Sequence, residues 1–223
     1  MARPRFRVVA ESFSWPFRGD WKSRWLPGLL TVLLVAIAFI PLLGYAIAAT
    51  RAAEIDDAPG PPKWAVSSGL VSDGFWTSTA LVVLTAPFLL LLNPFAGLLF
   101  DAHLWHLADV PLSHFYAHVG AAFSLALPWG FLLLIHMPHA TAEFAHSHKA
   151  RDLFDLPAAI RGVRRDFATW NVAAAAIVTG WAIGLACVGL LCVGLVPGVF
   201  YAILVSAHAS AALHDRGANS PAR

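Results

Sequence analysis

Apolar residues gather in four long blocks separated by short polar segments. Trp25–Thr50, Gly74–Phe100, Val110–Ala142 and Phe167–His214 hold no Asp, Glu, Lys or Arg. A helix needs about 20 apolar residues to cross roughly 30 Å of hydrocarbon. The second and third blocks therefore each predict one span, over 74–100 and 115–137. The fourth block, 48 residues long, is too long for a single crossing. Gly194 and the pair Pro197-Gly198 near its middle predict a helical hairpin, 170–191 and 198–213, joined by a short apolar turn.

The first block has two readings. Its 26 residues suit one tilted span. Pro41 and Gly44 interrupt it, which suits a re-entrant hairpin instead, provided other helices cover the irregular backbone. Charge separates the two, because Lys and Arg collect on the cytoplasmic side. With a hairpin and a cytoplasmic N-terminus, every one of the fifteen basic residues lies inside, and the outer loop 101–109 holds none. With a single crossing, nine of the fifteen lie outside. The hairpin reading is preferred, and it places both termini in the cytoplasm.

Composition agrees. The 223 residues are 58% hydrophobic and 13% charged, with a mean hydropathy of +0.67. That charge content is about half the usual share of a soluble domain. The expected class is an all-α polytopic transmembrane bundle, four full spans plus the N-terminal hairpin, forming one domain over 25–213. A net charge of +2 without a basic tract argues against nucleic acid as a partner; membrane lipids are the expected surroundings. Arginine supplies twelve of the fifteen basic residues, a bias consistent with a GC-rich bacterial genome and an inner-membrane location. Residues 1–24 are basic and aromatic, with Phe6, Val9, Phe13, Trp15 and Phe17 among arginines, and predict an interfacial anchor. The apolar run after them is too long for the core of a cleavable signal peptide. Trp21, Trp25, Trp64, Trp76, Trp105 and Trp170 fall near block ends, where indole favours headgroups. Ala58–Pro62 is a Pro/Gly-rich loop. Asp152–Phe167 predicts an amphipathic interfacial helix, and 214–223 a disordered tail. Cys187 and Cys192 are five apart and point apart on a helix, so both read as packing residues.

Several local features resemble a known family. Trp15-Pro16-Phe17 and Asp20-Trp21-Lys22 precede the first block, which holds Pro41-Leu42-Leu43-Gly44-Tyr45. A Pro-rich loop ends in Trp64, and Phe154-Asp155 opens a basic amphipathic stretch to Trp170. Leu191-Cys192-Val193-Gly194 and Phe200-Tyr201 to His208 close the chain. Together these resemble the prokaryotic multi-pass membrane family called domain of unknown function 4013, over roughly 10–213. After His208 the chain has Ala-Ser-Ala where that family often has Tyr-Gly. The resemblance implies the architecture and carries no activity or catalytic residues.

Chemistry, if present, lies with the ten histidines. The uncharged blocks lack the buried carboxylates or cations that ion-coupled transporters place at membrane depth. An outer cluster holds Asp101, His103, His106, Asp109, His114 and His118. Its three- and four-residue spacings put ligand pairs on one helix face, as a transition metal requires. The plainer reading is a hydrated loop. An inner cluster holds His136, His139, Glu143, His146 and His148. Glu143 and His146 form the Glu-x-x-His spacing that bundles use for metals, although Pro138 is expected to break the helix and set His136 on another axis. The plainer reading is a polar face at the membrane surface. His136 and His208 lie at similar predicted depth and are candidates for ligating a haem or metal, or else for bonding a neighbouring helix. Finally, Ala176, Gly180 and Gly184, and Gly194, Gly198, Ala202, Ser206 and Ser210, recur every four residues. Such faces allow close helix approach, between the last two spans or toward another membrane subunit. The expected function is non-catalytic: a scaffold, an accessory subunit or a passage for small solutes. The alternative is a metal- or haem-binding transporter or enzyme.

Overall fold

The computed structural model describes residues 5–54, 60–102, 110–187 and 194–218. Among these, the structure is helical and holds no strand. The α-helices are α1 (Arg5–Ser14), α2 (Trp21–Leu33), α3 (Val35–Ala53), α4 (Ser68–Asp101), α5 (Val110–Ser147), α6 (Leu156–Arg165), α7 (Phe167–Ala186) and α8 (Leu195–Ala218). Four of them, α4, α5, α7 and α8, are long and apolar enough to cross a membrane. The chain is an integral membrane protein by this criterion. It divides into two compact units, one of residues up to Ser78 with those from Ile135 onward, the other Thr79–Leu134.

The first apolar block is two helices rather than one, and they pack on each other. The division falls at Leu34, not at the expected Pro41-Gly44. Pro41 and Gly44 lie inside α3. Pro41 lacks an N–H and its ring crowds the carbonyl four residues back. The resulting distortion appears upstream, at Ala38, whose φ of −101° and ψ of 15° are non-helical. Gly44 serves packing: a Cβ there would stand 2.0 Å from the Leu70 carbonyl oxygen. Reciprocally, a Cβ at Gly74 would stand 1.9 Å from the carbonyl oxygen of Ile40. The backbones of α3 and α4 thus cross in direct contact.

Pro138 does not break its helix either. α5 runs unbroken through Pro128 and Pro138 to Ser147, so His136 and His139 share one axis. The Thr141 hydroxyl donates to the Met137 carbonyl at 2.7 Å, one turn back along the same helix.

α7 and α8 pair closely along the small-residue faces. A Cβ at Gly184 would lie 2.6 Å from the Gly198 carbonyl oxygen, and one at Gly180 would lie 2.9 Å from Val205 Cγ1. Ala202 is buried beside them, and Ser206 is half-buried. Cys187, a free thiol, ends α7. Cys192 and the rest of the turn at 188–193 lie outside the described residues. α8 continues to Ala218, past the point where a tail was expected.

The N-terminal segment also departs from a surface anchor. α1 packs on α7 and α8, and Ser12, Trp15 and Pro16 are buried. A core cluster of Trp15, Val32, Leu42, Tyr45, Leu70, Phe200 and Leu204 joins α2, α3, α4 and α8 to it. Phe200 is central. Trp25 meets its ring edge-on at 5.5 Å, and Tyr45 stacks at 6.0 Å. Gly28 admits the ring, since a Cβ there would fall 2.1 Å from it. Several tryptophans expected at the headgroups are likewise drawn inward. Trp170 is buried, Trp64 stacks on Tyr45 at 4.1 Å, and the Trp25 indole donates to the Pro16 carbonyl at 2.9 Å. Trp76 stays exposed, and Trp105 lies outside the described residues.

In the second unit, Phe88 stacks on Trp129 at 5.1 Å and Phe100 on His114 at 3.7 Å. These contacts set those parts of α4 and α5 antiparallel. Ala80, Ala96, Ala117 and Ala121 are buried there, while Leu90, Phe123 and Leu127 are fully outward.

Candidate functional site at the helix ends

Polar side chains concentrate where α3, α4, α5 and α6 end or begin in the first unit. Arg51, in the last turn of α3, reaches two other elements. Its Nε–H donates to the Ala145 carbonyl at 2.8 Å, and its Nη2 donates to Asp73 Oδ2 at 3.2 Å. Asp73 lies in the second turn of α4 with its side chain 13% exposed. A carboxylate that enclosed needs a charged partner, and Arg51 supplies it. His148 adds a third member, with Nδ1 3.3 Å from Arg51 Nη2 and 4.0 Å from Asp73 Oδ1. It is the residue at which the chain leaves α5, with a left-handed φ of +56° and an N–H bonded to the Phe144 carbonyl at 2.9 Å. Asp73 and Arg51 were not among the candidates. Their signal was position: Arg51 closes the first uncharged block and Asp73 immediately precedes the second.

His136 is fully buried. Its Nε2–H donates to the Leu153 carbonyl at 2.8 Å, while Nδ1 has no partner among the described residues. This bond fastens the short turn Ala150–Phe154 to α5. His208 has a different setting. Its Nδ1 shares a 2.9 Å hydrogen bond with the Ser12 hydroxyl, and its ring lies 5.3 Å from Trp15. The two histidines suggested for haem thus have separate partners, one from the turn before α6 and one from α1.

His139 and Glu143, one turn apart on α5, do come together. With Asp152, Asp155, Arg161 and Arg165 they line a cleft of about 320 Å³. α6 forms its other wall. Asp155 caps that helix, accepting from the Ala158 N–H at 2.8 Å, and Asp166 caps α7, accepting from the Thr169 N–H at 3.1 Å. Both caps satisfy amides that the first helical turn leaves open. Gly162 lets α6 approach α5: a Cβ there would lie 2.8 Å from His139 Cε1. Asp152 is engaged by the Ser147 hydroxyl and by Arg151 at 3.5 Å. His146 is exposed.

Of the outer cluster, His103, His106 and Asp109 lie outside the described residues. His114 and His118 are both exposed. His118 Nδ1–H donates to the His114 carbonyl at 2.9 Å, and the His114 ring covers Phe100. Asp101 is exposed at the end of α4. Among the described residues, no three His, Cys, Asp or Glu side chains are grouped to hold a metal.

A family model described as "Protein of unknown function (DUF4013)" matches residues 29–194. The chain belongs to this family. The match takes in the α3–α4 crossing, the Arg51 group, the cleft and α7. It leaves out the N-terminal Trp15-Pro16-Phe17 and the α8 residues from Phe200 to His208, which also entered the resemblance. No curated protein and no solved structure matches the chain.

Proposed function

We propose that this DUF4013 member is a non-catalytic scaffold or accessory subunit of the bacterial cytoplasmic membrane, with both termini in the cytoplasm. The observation that carries the reading is how its polar side chains are used. Arg51 joins α3 to α4 and α5, His136 joins α5 to the turn before α6, and Ser12 and His208 join α1 to α8. These are ties between segments far apart in sequence. Phe200, Leu204 and Val205 fill the interior of the first unit, which favours a structural role over a solute passage. The span windows of α4 and α5 are only 6% buried, against 44% and 56% for α7 and α8, so lipid or a partner subunit would cover them. Sidedness is supported by the fifteen basic residues and by the return of the chain from α2 into α3.

Purified full-length protein in detergent tests the role. Elemental analysis and an absorption spectrum are expected to show no stoichiometric metal and no visible band, and native mass to show a defined complex with a second membrane protein. A stoichiometric metal lost in Glu143→Ala or His146→Ala would overturn the non-catalytic reading. For sidedness, Lys63→Cys is the suitable probe, because Lys63 is exposed. Gly60 is not, with φ +112° and the Arg18 carbonyl oxygen 2.5 Å from its would-be Cβ. Labelling from the cytoplasmic side alone is expected; periplasmic labelling refutes the topology.

A further inference from the structure

We infer that the outer face of α6 is a docking surface for the headgroups of anionic phospholipids. At about 100° per residue, Leu156, Ala159 and Val163 fall within about 60° of one another. They are buried or half-buried, so protein covers the apolar side of this helix. Ile160, Arg161, Arg164 and Arg165 occupy the other side, within about 140°, and all four are exposed. None of the three guanidiniums has an ion pair or hydrogen bond among the described residues. The neighbouring carboxylates are in use. Asp155 and Asp166 cap α6 and α7, and Asp152 is held by Ser147 and Arg151. Glu143 and His139 line the cleft beside Arg161 and Arg165; both have interactions of their own and take no part. Arg164 stands outside that cleft.

Location selects a lipid surface as the occupant. A single residue, Asp166, separates α6 from α7, which is long and apolar enough to cross a membrane. Arg164 and Arg165 therefore stand at the end of a span, which is the depth of the headgroups. Phe154, Ile160 and Phe167 are exposed. In water that exposure is unfavourable, whereas at the acyl boundary such side chains are buried. Arginines interleaved with apolar residues thus fit a bilayer surface better than an acidic protein segment, which would leave the phenylalanines and Ile160 uncovered. Charge then selects the lipid. A phosphatidylglycerol headgroup carries a net negative charge and phosphate oxygens that accept guanidinium N–H groups. The quaternary ammonium of phosphatidylcholine offsets its phosphate. Basic residues clustered directly beside a span favour the anionic headgroup for this reason.

The inference rests on the membrane fold and not on the subunit role, so either can fail alone. Native mass spectrometry of the full chain in detergent, titrated with phosphatidylglycerol or phosphatidylcholine, tests it. Phosphatidylglycerol is expected to be retained in preference, and the preference to shrink as salt screens the exposed charges. Replacing Arg161, Arg164 and Arg165 together by alanine should weaken phosphatidylglycerol retention by about tenfold or more, at about fivefold for each arginine near the headgroups. All three are exposed and unpaired, so folding should survive. Arg164→Glu alone, a single exposed change, should also reduce the preference. Lys22→Ala, Lys63→Ala and Arg151→Ala combined remove the same charge from other exposed positions and should leave most of it. Equal retention of both lipids by the unaltered protein overturns the proposal and leaves the arginine face to an acidic protein segment. An equal loss in the charge-matched triple variant also overturns it, because total charge would then suffice. So would displacement of the lipid by an equal concentration of free glycerol phosphate, which would make the acyl boundary irrelevant.

Discussion

Gly74→Ala adds one methyl group where α4 meets α3. The new carbon would lie 1.9 Å from the Ile40 carbonyl oxygen, 2.8 Å from its carbon and 2.9 Å from the Gly44 nitrogen. All three are backbone atoms, so no rotamer change relieves the clash. Reaching an ordinary contact of 3.4 Å requires the helices to part by about 1.5 Å. A gap of about 0.5–1 Å already forfeits a quarter to a half of each contact energy, so most of the dispersion at the crossing is lost. Overpacking of this kind costs about 1–3 kcal/mol, and rigid backbone on both sides places Gly74 at the upper end. Alanine's better helix propensity returns about 1 kcal/mol, leaving a net loss of about 2 kcal/mol. Gly97 and Gly130 provide the control, because a Cβ at either meets nothing within 4 Å. There the same substitution should be neutral or stabilising by up to about 1 kcal/mol. Unfolding in a titration with denaturing detergent, followed by tryptophan fluorescence, reads the difference. Gly74→Ala should unfold well before the unaltered protein, and Gly97→Ala at or after it. If Gly74→Ala matched Gly97→Ala, the close crossing of α3 and α4 would be wrong. Adding Gly44→Ala to Gly74→Ala should cost less than Gly44→Ala alone, since the helices have already parted.

Three further outcomes follow from the ties between segments. Arg51→Ala leaves Asp73 enclosed without its cation and should cost about 2 kcal/mol, with much of the loss recovered in Arg51→Ala/Asp73→Ala; a double variant no better than Arg51→Ala refutes the pairing. Ser12→Ala removes the partner of His208 Nδ1 and should cost about 1 kcal/mol, seen as earlier proteolysis of the N-terminal segment; unchanged cleavage means α1 is not held by that bond. Gly180→Leu should separate α7 from α8 because the side chain would enter the space of Val205, and unaltered expression and monodispersity on a sizing column would argue that this face is open.

The amino-acid sequence alone determined the membrane class, the long apolar spans and the closing pair of helices. These follow from length and charge, which the bilayer imposes on any crossing segment. It also determined the packing face of α7 and α8, because close approach demands small residues at every fourth position and little else matches that pattern. Only the tertiary structure decided where α2 gives way to α3, since Pro41 can be carried inside a helix when the distortion is absorbed upstream at Ala38. The same holds for Pro138 within α5. The burial of Ser12 and Trp15 was also out of reach, as an amphipathic segment reads alike whether lipid or protein covers it. The site was half legible. His139 and Glu143 share a face by spacing, whereas the opposing Arg161 and Arg165 come from another helix. Ser12 meets His208 across 196 positions and Arg51 meets His148 across 97. No local period encodes pairs so distant; they exist because the packed helices bring buried polar groups to the partners they need.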